Sequence, residues 1–519
     1  MRSVSNQSGF PTQHRYTVQK KANTTMNNTS PVSHLTMRRS IAILAFVACW
    51  FAPAYGATKY PSEIYLGIYM GQAKLGYSVM KSDKAEWKGS AVIKNESSSR
   101  TEISVMGTKV TQEVETLVYT DLKSRPLYEE FTMSSSGKST KVYADFKDRE
   151  ILCRLVTKTG ETQRAIPIPE GVKLVGDEYT AVEGESIKVG DTMTQHTFNP
   201  LTLSLDELKI SVDRKQNLEI DGKSVETLVI TTKTPLGDLV SYQGVADQEL
   251  LKIEASMGIV MVRETKQKAM GKAEGDYQPP PDLAVSTSVK ADKNITDADG
   301  LWELNIRLSG MPQRSMIISD KVQKASRARG AGSQAVTFEI KVREYEASES
   351  GTLPVGSEGL TSALEPGMYV KSRDDSVVRQ ARKIVGSDRN LLRAASLIRN
   401  WVRDEMKPDA SIGVLRPSGD ILKDRRGVCR DYAILYASLA RAAGIPTRII
   451  GGLLLHDNRL YYHAWNEVWT GKGWVPMDST RASDVFGANH IKLTEGDETE
   501  MFKMGKVIGQ LKAEILDYK

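Results

Sequence analysis

The sequence predicts an α+β fold, in which a long, mostly antiparallel β region precedes a mixed helical and β domain near the C-terminus. Short β-branched or alternating segments, separated by turn residues, fill residues 57–275. After about residue 365, apolar residues instead recur at three- and four-residue spacing, as in amphipathic helices. A helix pattern that begins at Cys429 is then followed by strand-like segments. Helices and antiparallel strands in separate blocks are typical of the α+β class.

Six segments carry the β prediction for residues 57–275. They are EIYLGIYM, VETLVYTD, TKVYADFK, EILCRLVT, ETLVITTK and GIVMVRET. Together they predict one large, curved antiparallel sheet, with a short helix near Asn199–Leu208 as its one helical interruption. The Pro-rich segment GDYQPPPD then predicts a break in the chain. We therefore expect residues 276–350 to form a linker and a small β-rich domain, with strands in LWELNIRLSG and AVTFEIKVRE.

Composition and charge are those of an ordinary soluble protein. The chain has 519 residues, of which 40% are apolar and 26% charged, so it is long enough for several domains. Its formal net charge is +6, but residues 1–56 contain basic residues and no acidic ones. Basic and acidic residues balance over residues 57–519. This balance argues against a nucleic-acid partner.

The basic N-terminal segment has the pattern of a secretory signal peptide. Met37-Arg38-Arg39 precedes the apolar run Ile41–Phe51, and Ala54-Tyr55-Gly56 follows as a small-x-small cleavage site. The run is too short to span a bilayer, and no transmembrane segment is predicted in the mature chain. Residues 1–36 are either a polar extension or precede the true start at Met37. We expect cleavage near Gly56 and a periplasmic or secreted protein.

The chain contains three cysteines. Cleavage near residue 56 removes Cys49 and leaves Cys153 and Cys429. Two thiols in an oxidising compartment could form a disulfide, but these two lie in different predicted domains. Cys153, in the strand pattern EILCRLV, is predicted to be a small apolar core residue. Cys429 is therefore expected to be a lone thiol.

The predicted C-terminal domain covers residues 351–519 and includes a C-terminal β extension. Helices are predicted over 377–384, 390–406 and 429–443, and the last is ended by Gly444-Ile445-Pro446. Three strands follow in TRIIGGLLL, YYHAWNEVW and GWVPMDST, separated by the turn segments HDNR and TGKG. This order would bring the helix start and the following strands together.

Three residues in these elements have the chemistry of a cysteine nucleophile and its base. Cys429 starts its helix, where unpaired backbone N–H groups and the helix dipole favour a thiolate. His463 and Asp478 lie on neighbouring predicted strands, so their side chains can meet on one face. His463 could then accept the thiol proton, while Asp478 binds the other ring nitrogen and fixes the tautomer. The backbone N–H of Cys429 is the predicted oxyanion donor.

Four sequence blocks give a more specific prediction. GVCRDYA, GIPTR, HAWNE and GWVPMDST occur in this order within residues 365–490. This segment resembles the core of the transglutaminase-like superfamily. The resemblance implies a papain-like fold, a Cys429–His463–Asp478 triad, and acyl transfer at an amide through a thioester with an amine or water as acceptor. The expected substrates are peptides or proteins that react at peptide or glutamine-type amides, and cell-envelope components are further candidate partners.

The sequence suggests roles for several residues near the predicted triad, and most of them have two possible roles. Trp465 and Trp474 are predicted substrate-binding residues, although large aromatics on strands also pack in cores. Asn466 and Glu467 either orient their strand or line the site. Asp431 and Tyr432 are expected to pack and to place negative charge at the helix start. Arginines near the thiol, which either stabilise a thiolate or face water, are Arg425, Arg426 and Arg430.

Three classes of function remain open at this stage. The first is a secreted cysteine enzyme that transfers or hydrolyses amide acyl groups. The second is a catalytically inactive binding or scaffold protein of the cell envelope, although binding alone does not require all three triad residue types. The third is a zinc site, but the spacings C-x-x-C and H-x-x-x-H are absent. No cofactor or metal is predicted, and no acidic run suggests calcium.

Overall fold

The computed structural model describes residues 60–176, 187–220, 222–271, 279–311, 314–327, 334–356, 359–483 and 485–519. The predicted signal peptide, Cys49 and the cleavage site near Gly56 lie outside these residues. Within them the chain is rich in antiparallel strands, as predicted. No helix of the described residues is both long enough and apolar enough to cross a membrane.

The first part of the chain forms one antiparallel sheet of fourteen strands. Consecutive strands are neighbours except β8 and β9, which lie at the two edges of the sheet, and the pairing of β1 with β14 joins the two halves. The strands are β1 Ser62–Met70, β2 Ala73–Trp87, β3 Ser90–Val105, β4 Thr108–Thr120, β5 Pro126–Ser135, β6 Lys138–Phe146, β7 Glu150–Thr157, β8 Gly160–Pro167, β9 Thr192–Asn199, β10 Ser204–Ile220, β11 Lys223–Thr234, β12 Gly237–Gly244, β13 Leu250–Glu254 and β14 Ile259–Arg263.

The predicted short helix near Asn199–Leu208 is wrong. The chain makes a turn after Asn199 and then enters β10 at Ser204. The Asn199 side chain accepts hydrogen bonds from the backbone N–H groups of Leu201 and Thr202, at 2.9 and 3.2 Å. An asparagine that binds the backbone in this way stabilises a turn and competes with a helix.

A smaller sheet of four strands has the order β17-β18-β16-β25. Its strands are β16 Glu303–Ser309, β17 Gln323–Arg327, β18 Val336–Lys341 and β25 Lys512–Tyr518. Pairing of β16 with β25 brings Ile306 opposite Ile515. The predicted C-terminal β extension therefore completes the small β-rich segment rather than the sheet that carries His463. Two short helices precede this sheet: α1 Lys266–Met270 and α2 Leu283–Thr287.

The C-terminal part consists of four helices and a third sheet, in which the helix Cys429–Ala442 packs against the sheet and the other three pack against that helix. The helices are α3 Asp375–Val385, α4 Leu391–Glu405, α5 Ser418–Asp424 and α6 Cys429–Ala442. The sheet has the order β15-β22-β21-β24, with β23 paired to β22. Its strands are β15 Val289–Lys290, β21 Thr447–His456, β22 Arg459–Trp469, β23 Trp474–Met477 and β24 His490–Gly496, while β19 Lys407–Pro408 and β20 Arg426–Gly427 form a separate parallel pair. Short 3-10 helices cover Ser256–Gly258, Ala298–Gly300, Arg314–Met316, Ala347–Glu349, Thr361–Ala363 and Glu500–Lys506.

Side-chain caps define the helices that surround α6. Asp374 accepts hydrogen bonds from the backbone of Ser376 and Val377 at the start of α3, and Asn390 accepts one from Arg393 at the start of α4. Such caps bind N–H groups that have no partner inside the helix. The α6 residues from Cys429 to Arg441 are all buried. This helix is therefore the centre of the domain.

The large N-terminal sheet shares a core with the helical part of the chain. Met133, Val142 and Leu155 belong to the same buried cluster as Ile412 and Val414. Hydrogen bonds cross the same boundary: the Thr140 hydroxyl donates to the Leu415 carbonyl at 2.7 Å. The loop that precedes α5 is thus packed between the sheet and α6, and the two parts of the chain are joined close to Cys429.

Candidate active site

Cys429 is the first residue of α6, and a buried carboxylate holds that helix start in place. Asp431 Oδ2 accepts the Val428 backbone N–H at 2.9 Å. The buried Arg416 guanidinium lies 3.4 Å from Asp431 Oδ1 and donates to the Arg426 carbonyl at 2.6 Å. Only 3% of the Cys429 surface is exposed. The thiol therefore lies at the positive end of a helix whose position is fixed by a network of charged groups.

Gly427 is the residue that lets Asp431 come this close. A Cβ atom at position 427 would lie 2.5 Å from Asp431 Cβ and 2.6 Å from Asp431 Oδ2. Atoms that are not bonded do not approach to such distances. Glycine two residues before the cysteine is therefore required by the cap that positions the thiol.

We expect Gly427→Ala to destabilise the protein by about 1–3 kcal/mol, because the new methyl group overlaps the Asp431 side chain. Displacement of Asp431 would also break its bond to the Val428 N–H and shift Cys429. The free energy of unfolding in urea measures the effect. Gly473→Ala is the matched control, since the nearest atom to its added Cβ is the Lys321 ammonium at 3.4 Å. Equal stability of the two variants would contradict this account of Gly427.

His463 and Asp478 form a buried pair on neighbouring strands. His463 lies in the middle of β22 and Asp478 follows directly after β23, which pairs with β22. His463 Nε2 lies 2.8 Å from Asp478 Oδ2. The other carboxylate oxygen accepts hydrogen bonds from the backbone N–H and the hydroxyl of Thr480, at 2.8 and 2.7 Å. The carboxylate is therefore held on both sides.

The charges of this pair are strongly coupled. Burial lowers the pKa of His463. The charge of Asp478 and its hydrogen bond outweigh burial, and the Cys429 thiol adds to their effect, so that the pKa of His463 rises to about 9. Burial raises the pKa of Asp478, but the His463 imidazolium holds it well below its usual range. Because Nε2 is bound to Asp478, Nδ1 is the ring nitrogen left for the thiol. Both shifts favour the form of the pair in which His463 is an imidazolium and Asp478 a carboxylate.

Asn466 ties the strand of the histidine to the helix of the cysteine. Its side-chain Nδ2 donates to the Ala433 carbonyl of α6 at 3.1 Å. Glu467 has a different role, since it binds Arg448 at 2.6 Å and the buried Lys492 ammonium at 2.8 Å. Asn466 thus orients β22 against α6, which is one of the two roles expected from the sequence.

The two predicted aromatic residues lie in different places. Trp465 is buried and stacks on the His463 ring, with centroids 6.1 Å apart. Trp474 instead packs edge-on against Trp469 and under the Arg448 guanidinium, and it lines a separate cavity of about 620 Å³. The structure therefore brings Trp465 to the predicted triad and places Trp474 in a cavity that Asp478 does not line.

The three arginines near the thiol have other partners. Arg430 donates to the Val414 carbonyl at 2.7 Å, Arg426 pairs with Asp409 at 3.0 Å, and Arg425 pairs with Glu405. Arg425 also lies over the Trp401 ring. These contacts explain the arginines as supports of the loops around α6 rather than as partners of the sulfur.

His490 is a site residue that sequence reasoning missed. Its Nε2 lies 3.2 Å from Asp478 Oδ2, and its Nδ1 lies 3.1 Å from the Gly487 carbonyl oxygen. Burial lowers its pKa. His490 begins β24, which pairs with β21, and β21 pairs in turn with β22, the strand of His463. The segment ANHIKL around it carries no motif, so no local signal identifies this residue.

Two side-chain groups among the described residues could hold a metal ion. In the first, His463, Asp478 and His490 place their ligand atoms within 4.8 Å of one another. In the second, the Lys492 ammonium lies among Asp320, Glu467 and Glu495 and already neutralises them. A metal in the first group would compete with the hydrogen bond between His463 and Asp478.

A cavity of about 410 Å³ lies on the Asp478 side of the site. Asp478, His490 and Phe486 line it, together with Arg399. The Nε of Arg399 is already occupied, since it donates a hydrogen bond to the Asp478 backbone carbonyl at 3.1 Å. Cys429 and His463 do not line this cavity, and both are enclosed by protein.

Residues 378–479 match the family model of the transglutaminase-like superfamily. This part of the chain is a transglutaminase-like domain. The match spans Cys429, His463 and Asp478, and it confirms the resemblance predicted from the four sequence blocks. The fourteen-stranded sheet lies outside the residues that match the family model.

Curated relatives of the chain are similar over short segments. An uncharacterised protein of Mycobacterium leprae is 33% identical over 105 residues, which are 18% of this chain and 34% of that protein. An uncharacterised protein of Haemophilus influenzae is 36% identical over 166 residues, or 25% of this chain and 43% of that protein. The chain thus spans less than half the length of either relative.

A solved structure of a candidate cysteine protease from Cytophaga hutchinsonii is also similar to the chain. It is 17% identical, with a TM-score of 0.28, and the match covers 42% of this chain and 86% of that one.

Proposed function

We propose that the transglutaminase-like domain is a cysteine enzyme that transfers or hydrolyses the acyl group of peptide or glutamine-type amides. The observation that carries the proposal is the buried His463–Asp478 pair, joined at 2.8 Å, beside a thiol on the first residue of a helix. Such a pair stabilises a thiolate, which is the nucleophilic form of cysteine. The enclosed position of the three residues also keeps these charges away from water, where they would be screened.

In the proposed reaction, the Cys429 sulfur attacks the carbonyl carbon of an amide. The C–N bond breaks as His463 gives its proton to the leaving amine, and the acyl group stays on Cys429 as a thioester. Water or a second amine then attacks the thioester carbon, His463 accepts the proton, and the thiolate leaves. We assign the Cys429 backbone N–H, at the start of α6, to the oxyanion that forms in both steps.

The first test is the alkylation rate of each cysteine against pH, read by peptide mass spectrometry after chymotryptic digestion. We expect Cys429 to react with iodoacetamide at neutral pH and to lose reactivity about 100-fold in His463→Ala, because the imidazolium that stabilises the thiolate is then absent. Cys153 is the internal control, since burial raises its pKa to about 12. Cleavage of amide substrates should stop in the alkylated protein and in Cys429→Ala.

If Cys429 is unreactive in the folded wild-type protein, the enzyme hypothesis is wrong and the inactive scaffold becomes the better hypothesis. Reaction with and without added amines then separates transfer from hydrolysis, since an amine acceptor forms a new amide and water forms an acid.

We further propose that the enzyme acts in the periplasm or outside the cell, on peptides, proteins or cell-envelope components. The support is the signal-peptide pattern of residues 37–56. N-terminal sequencing of the protein isolated from cell fractions tests this, with a new N-terminus near Ala57 as the expected result.

A further inference from the structure

We propose that His490 is a positioning residue of the active site, which holds the Asp478 carboxylate toward His463 by donating its Nε2–H to Asp478 Oδ2. The inference rests on the proposed function, because the orientation of Asp478 matters for catalysis if Cys429 is the nucleophile. It adds a fourth side chain to the triad.

The hydrogen bonds of Asp478 show what His490 contributes. Thr480 donates twice to Oδ1, and His463 and His490 approach Oδ2 at 2.8 and 3.2 Å. A carboxylate has about four acceptor positions, so these four contacts satisfy it completely. An ionised carboxylate that is 4% exposed is costly unless it is bonded in this way. Removal of His490 would leave Oδ2 bound by His463 alone, and the two Thr480 bonds to Oδ1 would be the other contacts that orient the carboxylate.

The surroundings of His490 fix its ring. The ring stacks on Phe486 with centroids 4.0 Å apart, and it meets the edge of Trp465 at 5.2 Å. Its Nδ1 lies 3.1 Å from the Gly487 carbonyl. The carboxylate and the Gly487 carbonyl both only accept, so a neutral ring donates to one of them and a charged ring to both. We assign the hydrogen of the neutral ring to Nε2, because a charged acceptor binds an N–H group more strongly than a carbonyl does. The charged groups that act on the ring are Asp478, His463 and Arg481.

The test compares His490→Phe with His490→Gln in the full chain. Phenylalanine keeps the stacking on Phe486 but has no N–H, whereas glutamine can place an amide N–H near the position of Nε2. We expect the Cys429 alkylation rate at pH 7 to fall about 10- to 100-fold in the Phe variant, the usual effect of losing a hydrogen bond to a charged group. The Gln variant should recover to within about threefold of wild type.

A second readout does not depend on the reactivity of Cys429. In protein labelled with ¹⁵N-histidine, we expect the His463 Nε2–H resonance to move in the Phe variant and to return in the Gln variant. If the Phe variant does not fold, His490→Asn replaces it, because the shorter amide reaches toward Gly487 and not toward Asp478.

Three outcomes would overturn the proposal: an unchanged His463 resonance in the Phe variant, equal losses in the Phe and Gln variants, or one equivalent of bound zinc that both variants lose. The last would mean that a metal ion rather than a proton lies between the side chains. An unreactive wild-type Cys429, with the His463 resonance still dependent on His490, would instead reject the proposed function and keep the positioning role.

Discussion

Asp478→Asn is expected to lower the turnover of the enzyme by about 10³- to 10⁴-fold, with much less effect on the binding of substrate. An asparagine can present its N–H to His463 Nε2, which forces the ring proton onto Nδ1 and directs it at the thiol. It also removes the charge that raises the pKa of His463 to about 9. The rise from 6.5 to about 9 corresponds to roughly 3 kcal/mol in favour of the imidazolium.

The measurement is kcat for a cleaved amide, with the alkylation rate of Cys429 as a second readout. Asp404→Asn is the matched control, because this carboxylate pairs with Arg403 on the surface of α4 and is 62% exposed. The control should stay within about twofold of wild type. An Asp478→Asn protein that is folded and as active as the control would exclude Asp478 from the mechanism.

The same variant gives a pH dependence with a definite sign. The folded pKa of His463 lies above its ordinary value of 6.5, so its contribution to stability is complete below pH 6.5 and is lost as the pH rises through about 9. The folded pKa of Asp478 lies below 3.8, so its contribution is complete above that value and is lost in more acidic solution. The stability difference between wild type and Asp478→Asn should therefore be largest between pH 4 and 6.5. Urea unfolding at pH 5, 7 and 9.5 measures it.

Local sequence patterns predicted the elements that carry the proposed triad. The helix pattern that begins at Cys429 coincides with α6, and the segments around His463 and Asp478 coincide with β22 and β23. Each of these elements is determined by nearby residues, because the hydrophobic period, the caps and the turn residues that define it lie within or next to it. Their order along the chain also places them side by side, since consecutive antiparallel strands pair.

Features that depend on distant pairing were not predictable in this way. His490 reaches Asp478 because β24 pairs with β21, and β25 completes a sheet whose other strands lie about 170 residues or more before it. Nothing in the local period of a strand specifies a partner so far away. The short helix predicted near Asn199–Leu208 is wrong for a different reason, because the Asn199 side chain binds the backbone N–H groups of Leu201 and Thr202 and so favours a turn.

Arg416→Met is expected to destabilise the protein by about 3–5 kcal/mol, and it connects stability to the site. Arg416 is one of the largest fully buried side chains, and it binds Asp424 at 2.9 Å and Asp431 at 3.4 Å. Without it, the buried Asp431 carboxylate would lose the cation next to Oδ1 and keep only Arg430, which lies 3.7 Å from Oδ2. Because Asp431 also accepts the Val428 N–H, the start of α6 and the Cys429 thiol should shift as well.

Arg373→Met separates this effect from the loss of an ordinary ion pair. Arg373 pairs with Glu365 at 2.7 Å, but the two side chains are 73% and 50% exposed, so the change should be within about 1 kcal/mol. Urea unfolding gives both values, and Cys429 alkylation under conditions where each variant is folded reports the helix start. If the Arg416→Met and Arg373→Met variants have the same stability and the same Cys429 alkylation rate, the buried network does not position Cys429. A loss of both quantities in Arg416→Met alone would tie the nucleophile to the charged groups behind it.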